Sequence, residues 1–289
     1  MNILPWIQAA RIKTLAASAV PVISSIIILP QSTPPNILLL CLTLIAALII
    51  QIVTNYINDL YDFLKGADHD RVGPKRMLQS GKISETQMKR AIIILVIAGI
   101  IIGVPLAIKG GWLIVVIGLS AFLFAYLYTA GPLSLAYNGL GDIFVFIYFG
   151  LIAVSGSYYL QAEQVNMNCV YLGASVGCKN VLLLIINNLR DYKTDLMCSK
   201  KTLIVKHGPI FGKAYTIIIL LMSYVFMFLL SRSIHNNIML YVMLVSIPLS
   251  VNIIIDVLYK ESKELNPALG KVACLLIVDC VLLYISQIL

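Results

Sequence analysis

Nine long, mostly apolar stretches leave this chain few folds to choose from. They cover about 14–30, 36–57, 89–109, 111–128, 139–160, 168–187, 210–230, 237–258 and 269–288. A run of roughly 17–25 such residues is long enough to cross a bilayer as a helix, which satisfies its own backbone N–H and C=O groups where lipid cannot. With 60% of residues hydrophobic, 12% charged and a mean hydropathy of +0.94, an ordinary soluble globule is excluded. The expected fold is an all-α polytopic membrane protein of nine transmembrane helices, forming a single domain over 1–289. The first stretch is interrupted by Pro21, and the third and fourth are divided only by Lys109-Gly110-Gly111.

Charge placement predicts the orientation. Arg11 and Lys13 precede the first stretch; Lys65, Arg71, Lys75, Arg76, Lys82, Lys89 and Arg90 separate the second from the third. Arg190, Lys193, Lys200, Lys201, Lys206 and Lys213 follow the sixth, and Lys260, Lys263 and Lys271 precede the ninth. With nine spans, all but three of the 21 basic residues fall on one side; the exceptions are Lys109, Lys179 and Arg232. The positive-inside rule then places the chain in the cell membrane with its N-terminus and polar loops (about 62–88 and 188–209) cytoplasmic and its C-terminus outside. The formal net charge of +8 reports that topology and an anionic ligand, not nucleic acid. No cleavable signal pattern is expected at the start, and the six cysteines show no C-x-x-C spacing, so they read as small buried residues.

Two polar clusters interrupt the oil. Asn55-Tyr56-Ile57-Asn58-Asp59-Leu60-Tyr61-Asp62 closes the second stretch, and Asn187-Asn188-Leu189-Arg190-Asp191-Tyr192-Lys193-Thr194-Asp195 closes the sixth. Acids at a membrane edge are unfavourable unless something compensates them, so they are candidates for function. On a helix Asn55, Asp59 and Asp62 share one face, and Asp191 and Asp195 repeat the spacing. A basic stretch follows each cluster, which suggests two similar halves with a site between them. Mg²⁺ takes one or two carboxylates together with phosphate oxygens. Two Mg²⁺ ions, with Mn²⁺ as a possible substitute, would hold a diphosphate between the clusters and neutralise the leaving group. The candidate ligands and catalytic acids are Asp59, Asp62, Asp191 and Asp195, joined by Asn55 and Asn188. Arg71, Lys75, Arg76, Arg190, Lys193 and Lys201 are the candidate diphosphate contacts.

At these residues the chain resembles the UbiA-type intramembrane prenyltransferases, marked by N-D-x-x-D-x-x-x-D and a later D-x-x-x-D. Asn58-Asp59-Leu60-Tyr61-Asp62 matches the first motif and Asp191-Tyr192-Lys193-Thr194-Asp195 the second. The first motif's last acid is replaced by Gly66, with Asp68 or Asp70 as its substitute. That departure, Asp70-Arg71-Val72-Gly73-Pro74-Lys75-Arg76, Leu135-Ala136-Tyr137-Asn138-Gly139-Leu140-Gly141-Asp142 and Lys201-Thr202-Leu203 are similar to the 1,4-dihydroxy-2-naphthoate prenyltransferases of menaquinone synthesis. Ala10-Arg11-Ile12-Lys13-Thr14-Leu15 is similar to the family's A-R-P-K-T-L, with Ile12 where proline is usual. The resemblance implies a nine-helix bundle around a central cavity, open to lipid and closed by a cytoplasmic polar cap. It implies Mg²⁺-dependent transfer of a polyprenyl group from a polyprenyl diphosphate to 1,4-dihydroxy-2-naphthoate. The acceptor's carboxylate leaves as CO₂, giving demethylmenaquinone.

Other polar residues keep two readings each. Arg11 meets the acceptor's carboxylate or anchors the first span; Tyr128 and Tyr137 line the cavity or belong to an interfacial belt. Asp142 is structural or faces the acceptor. Lys179, within an apolar span, faces the cavity or snorkels to the outer interface, and Asn180 beside it shares a face with the second cluster. The alternative functions are prenyl transfer to 4-hydroxybenzoate or homogentisate and, in a different class, cation-coupled transport.

Overall fold

The computed structural model describes residues 3–66, 72–131, 134–198 and 200–289, and among these every regular element is helical. Two short helices, α1 (Leu4–Ala10) and α2 (Ala16–Ile27), meet at a 52° bend. The bend falls between the 3-10 turn at Ile12–Thr14, which follows Arg11 at φ 51°, and the start of α2, not at Pro21 inside α2. Helix α3 (Ile37–Leu64) starts from Asn36, whose side chain accepts the Leu39 N–H. Its 28 residues make a rod of about 42 Å, longer than a hydrocarbon core of about 30 Å, so the overhanging turns can carry Asn58 and Asp62.

Helix α4 (Glu85–Thr129) opens with a Ser84/Gln87 capping box. Unbroken, its 45 residues would extend about 67 Å. Gly111, at φ 66° and ψ −161°, instead breaks it into two arms where the sequence placed the Lys109-Gly110-Gly111 divider. After the short α5 (Leu135–Asn138), α6 (Gly141–Ala162) widens to π-helical geometry over Ile147–Ile152. Helix α7 (Met167–Arg190) is the most enclosed of the long helices. Its Gly173 and Gly177 lie one turn apart against Gly150 of α6, where a Cβ on Gly150 would come within 2.5 Å of the α7 backbone. Small residues at this spacing let two membrane helices touch backbone to backbone.

The second polar loop is mostly helical. It holds α8 (Tyr192–Met197) and the start of α9 (Leu203–Ser233), which Thr202 caps and Gly208 bends at φ 87°. Helices α10 (Ile238–Tyr259, with a 3-10 turn at Leu244–Ser246) and α11 (Asn266–Ile288) complete the bundle. Among the described residues, seven helices are long and apolar enough to cross a membrane, or eight if the bent α1–α2 pair is one span. The chain is a multi-pass membrane protein.

Two polar contacts fix α7 in the middle of this bundle. Asn180 Nδ2 donates to the carbonyls of Ala17 in α2 (3.2 Å) and Phe149 in α6 (3.0 Å). The Lys179 ammonium lies 2.7 Å from Asp279 of α11 and 3.0 Å from Ser175 Oγ. Lys179 therefore neither lines the cavity nor reaches an interface, because a carboxylate on a neighbouring span supplies the partner a buried ammonium needs.

Candidate active site

Helix α3 presents the first cluster to two different surroundings. Asp59 accepts the backbone N–H groups of Met77 (3.0 Å) and Leu78 (3.4 Å), holding the 77–83 segment over α1 and α3. Asn55 donates to the Ala10 carbonyl (2.9 Å) and Thr14 Oγ1 (3.1 Å). Asn58 and Asp62 instead line a polar cavity of about 130 Å³. One helix face was expected for Asn55, Asp59 and Asp62 together. The packed 77–83 segment covers its Asp59 side, leaving Asp62 and its i−4 neighbour Asn58 open.

Helix α7 supplies the opposite wall. Asn187, Asn188, Arg190 and Asp191 from its last turn, with Thr194 and Asp195 from α8, line the same cavity. Arg11, Arg76, Tyr128, Thr129, Asp142, Lys200 and Thr202 complete the polar lining. Three of the four carboxylates that line it, Asp62, Asp191 and Asp195, are each met by a base. Arg76 Nη2 donates to Asp62 Oδ2 at 2.8 Å; Arg190 grips Asp191 through Nε (2.8 Å) and Nη2 (2.6 Å); Lys200 lies 3.4 Å from Asp195. Tyr137 donates its hydroxyl to Asp62 Oδ1 at 3.0 Å, and its ring carries the Lys65 ammonium at 4.1 Å and that of Lys200 at 5.6 Å.

The electrostatics follow from burial. Enclosure pushes the Asp195 carboxyl up to about 6, against the pull of Lys200. Its Oδ2 is buried without a hydrogen-bond partner, an oxygen well suited to a cation. Desolvation pulls the Lys65 ammonium down, with nearby Asp62 opposing it. Among the described residues no three His, Cys, Asp or Glu side chains form a metal cage on their own. Mg²⁺ does not require one, since substrate phosphates and water provide most of its shell.

Several expected contacts lie elsewhere. Lys75, Lys193 and Lys201 are exposed, and Lys201 enters only through its N–H, which donates to the Tyr137 carbonyl at 3.0 Å. Asp68, Asp70 and Arg71 are outside the described residues. Asn58, Asn187, Thr129, Thr194, Lys200 and Thr202 were not expected as site residues from the sequence, yet they line the cavity. The two asparagines had a usable signal, since each precedes an acid by four residues in both clusters.

A second cavity, of about 390 Å³, is lined almost wholly by apolar side chains from α2, α3, both arms of α4, and α6. Phe124, Phe144 and Tyr148 cluster on its wall, with ring centroids 4.6–6.4 Å apart. Tyr128 lines both cavities, so charged and oily spaces adjoin at one side chain.

The family model for the UbiA prenyltransferase family matches residues 18–275. Similar proteins include the 1,4-dihydroxy-2-naphthoate octaprenyltransferase of Escherichia coli (strain K12), 33% identical over 255 residues, covering 85% of this chain and 82% of that one. The protein of that name from Bacillus subtilis (strain 168) is 32% identical over 210 residues, 72% of this chain and 67% of its own. Among solved structures, the apo UbiA homolog from Aeropyrum pernix K1 superposes with a TM-score of 0.71 at 14% identity, covering 99% of this chain and 98% of that one. A UbiA homolog from Archaeoglobus fulgidus bound to DMAPP and Mg²⁺ gives 0.70 at 16% identity, covering 96% and 98%. The structural likeness supports the helical fold, and the family match over most of the chain supports ancestry: this chain belongs to the UbiA prenyltransferase family.

Proposed function

We propose that this chain transfers a polyprenyl group from a polyprenyl diphosphate to 1,4-dihydroxy-2-naphthoate, releasing diphosphate and CO₂ and giving demethylmenaquinol, the quinol that air oxidises to demethylmenaquinone. The observation that carries the reading is the junction at Tyr128 between a cavity rich in carboxylates and bases and a larger apolar one. A diphosphate suits the first and the start of a hydrocarbon tail the second. The names of the relatives that match most of the chain's length favour the naphthoate acceptor over 4-hydroxybenzoate or homogentisate.

Asp62, Asp191 and Asp195, with the amides of Asn58 and Asn188, are the groups that would hold Mg²⁺. Two ions fit the two walls of the cavity, and Mn²⁺ has the same taste for oxygen ligands. Bound there, Mg²⁺ would offset the charge that gathers on diphosphate as the allylic C–O bond breaks. Arg76 and Lys200 then turn from carboxylates to diphosphate oxygens, and Arg11 faces the acceptor's carboxylate. The bond's electron pair leaves with diphosphate. The electron-rich ring attacks the allylic cation at the carbon bearing the carboxylate. Loss of CO₂ returns the ring electrons, so this carbon needs no base. The apolar wall and its aromatic rings shield the cation from water and offer it their faces.

The same reading divides α4 at Gly111 and joins α1 to α2, giving nine spans in one domain. An odd number puts the termini on opposite sides. The basic residues of the polar loops orient the N-terminus and the site toward the cytoplasm, in the cell membrane.

Purified protein given polyprenyl diphosphate, 1,4-dihydroxy-2-naphthoate and Mg²⁺ is expected to yield demethylmenaquinol (read as demethylmenaquinone after air oxidation), CO₂ and diphosphate, and to be silent with 4-hydroxybenzoate or homogentisate. Product with another acceptor only would overturn the acceptor; cation uptake into vesicles without any prenylated product would support a transporter. A further expectation concerns pH. Asp195 titrates near 6, so its proton competes with the cation below that value and not above it. Mn²⁺ binding, read by electron paramagnetic resonance, should weaken up to about tenfold per pH unit below 6 and level off above about 7. Asp195→Asn should flatten that slope.

A further inference from the structure

Arg190 lines the cavity through its contacts with Asp191, and a third contact reaches it from outside the cavity. Two of its nitrogens grip Asp191, and Nη1 donates to Asn266 Oδ1 at 3.1 Å. The Arg190 side chain is only 3% exposed, whereas Asn266 is an exposed residue in the first turn of α11. Three of the guanidinium's five N–H donors are thereby oriented in one plane. The plane that fixes the Asp191 oxygens is itself fixed by α11. Asn266 touches neither cavity, so its role would run through Arg190.

The position of α11 is set independently. Lys179 and Asp279 join the same two helices 11 residues back along α7 and 13 residues on along α11. At 1.5 Å per residue these offsets are about 16 and 20 Å, similar enough for two antiparallel helices stapled at both points. The helix carrying Asn266 is therefore held in register against the helix carrying Arg190.

We infer that Asn266 is a positioning residue, which holds Arg190 so that Asp191 presents its carboxylate to the cation site. The inference rests on reading the polar cavity as the cation and diphosphate site. Without the Asn266 oxygen, Arg190 keeps its two bonds to Asp191 but loses its tie to α11, so the pair can shift together and Asp191 loses its fixed orientation. Groups that orient a metal's ligands are worth about 10–100-fold in metal affinity when removed.

The test pairs Asn266→Ala with the isosteric Asn266→Asp, which keeps the acceptor oxygen. For Asn266→Ala, half-saturating Mg²⁺ for diphosphate release should rise about tenfold while kcat at saturating Mg²⁺ stays within about twofold. Mn²⁺ binding to purified protein with inorganic diphosphate, read by electron paramagnetic resonance without turnover, should weaken to the same extent. Asn266→Asp should behave as the parent in both assays. A purely structural role would lower the thermal midpoint and kcat without moving the metal dependence, and that result overturns the inference. So does an unchanged Asn266→Ala, or an Asn266→Asp that fails to rescue. If Asn266→Ala does not fold, Arg190→Lys reads the same contact, since lysine can face Asp191 but not also reach Asn266. Normal Mn²⁺ binding in a parent protein that prenylates no aromatic acceptor would sink the proposed function and leave this inference standing.

Discussion

Replacing Asp62 with alanine should reduce prenyl transfer at least about a hundredfold to a thousandfold, the usual effect of deleting a group that stabilises charge at a reacting centre. The carboxylate sits on the cavity wall, held by Arg76 at 2.8 Å and by the Tyr137 hydroxyl at 3.0 Å. Arg76 and the Tyr137 ring remain to fill the space, so the fold should survive. The comparison with Asp59→Ala makes the prediction specific. Asp59 is three residues away in the same motif, yet its oxygens accept two backbone N–H groups of the 77–83 segment. Its removal leaves those donors unpaired, at about 1–3 kcal/mol each. Asp59→Ala should therefore lower the thermal midpoint clearly, with its catalytic defect arising through the displaced loop and Arg76. Activity and melting curves on both variants decide it. An inactive, fully stable Asp59→Ala beside an active Asp62→Ala would reverse the two roles. Asn58→Ala, on the cavity side, should follow Asp62→Ala in losing activity at unchanged stability.

The sequence carried the bundle well because membrane spans follow from a simple rule of length and hydropathy. The division at Lys109-Gly110-Gly111 was readable for the same reason: two glycines and a lysine cannot sit comfortably inside one long apolar rod. The convergence of Asp62, Asn188, Asp191 and Asp195 on one cavity was also readable, since i,i+4 spacing restricts which side chains can share a wall. What spacing does not give is the neighbour across the face. Helical periodicity put Asn55, Asp59 and Asp62 together, but only packing reveals that residues 77–83 cap one side of that stripe. Lys200 was one loop base among many until Asp195 came within 3.4 Å of it. Asp279 attracted no notice because its partner lies 100 residues earlier, and hydropathy has no means of pairing distant charges.

That pair supports the second strong expectation, Lys179→Met. Both side chains are almost fully buried, at 2% and 6% exposure, in the middle of spans that meet inside the bundle. Removing the ammonium alone leaves a carboxylate in a place where neither water nor lipid can solvate it. Ser175 and the Tyr224 ring, 6.0 Å from the ammonium, are adjacent to the site but carry no compensating charge. Breaking a buried ion pair in this way destabilises by about 3–5 kcal/mol. Asp279→Asn should cost less than Lys179→Met, because an amide is neutral and the surviving lysine still has Ser175. The double variant Lys179→Met/Asp279→Leu should recover most of the loss, since replacing both charges with apolar side chains removes the desolvation penalty along with the attraction. Detergent melting curves of the four proteins give the coupling directly, and strictly additive losses would show that the pair contributes nothing as a pair. Catalysis supplies an independent check. If the pair serves only to hold α11 against α7, the recovered double variant should also recover prenyl transfer. A stable double variant that remained inactive would assign the intramembrane charges a part in the reaction itself.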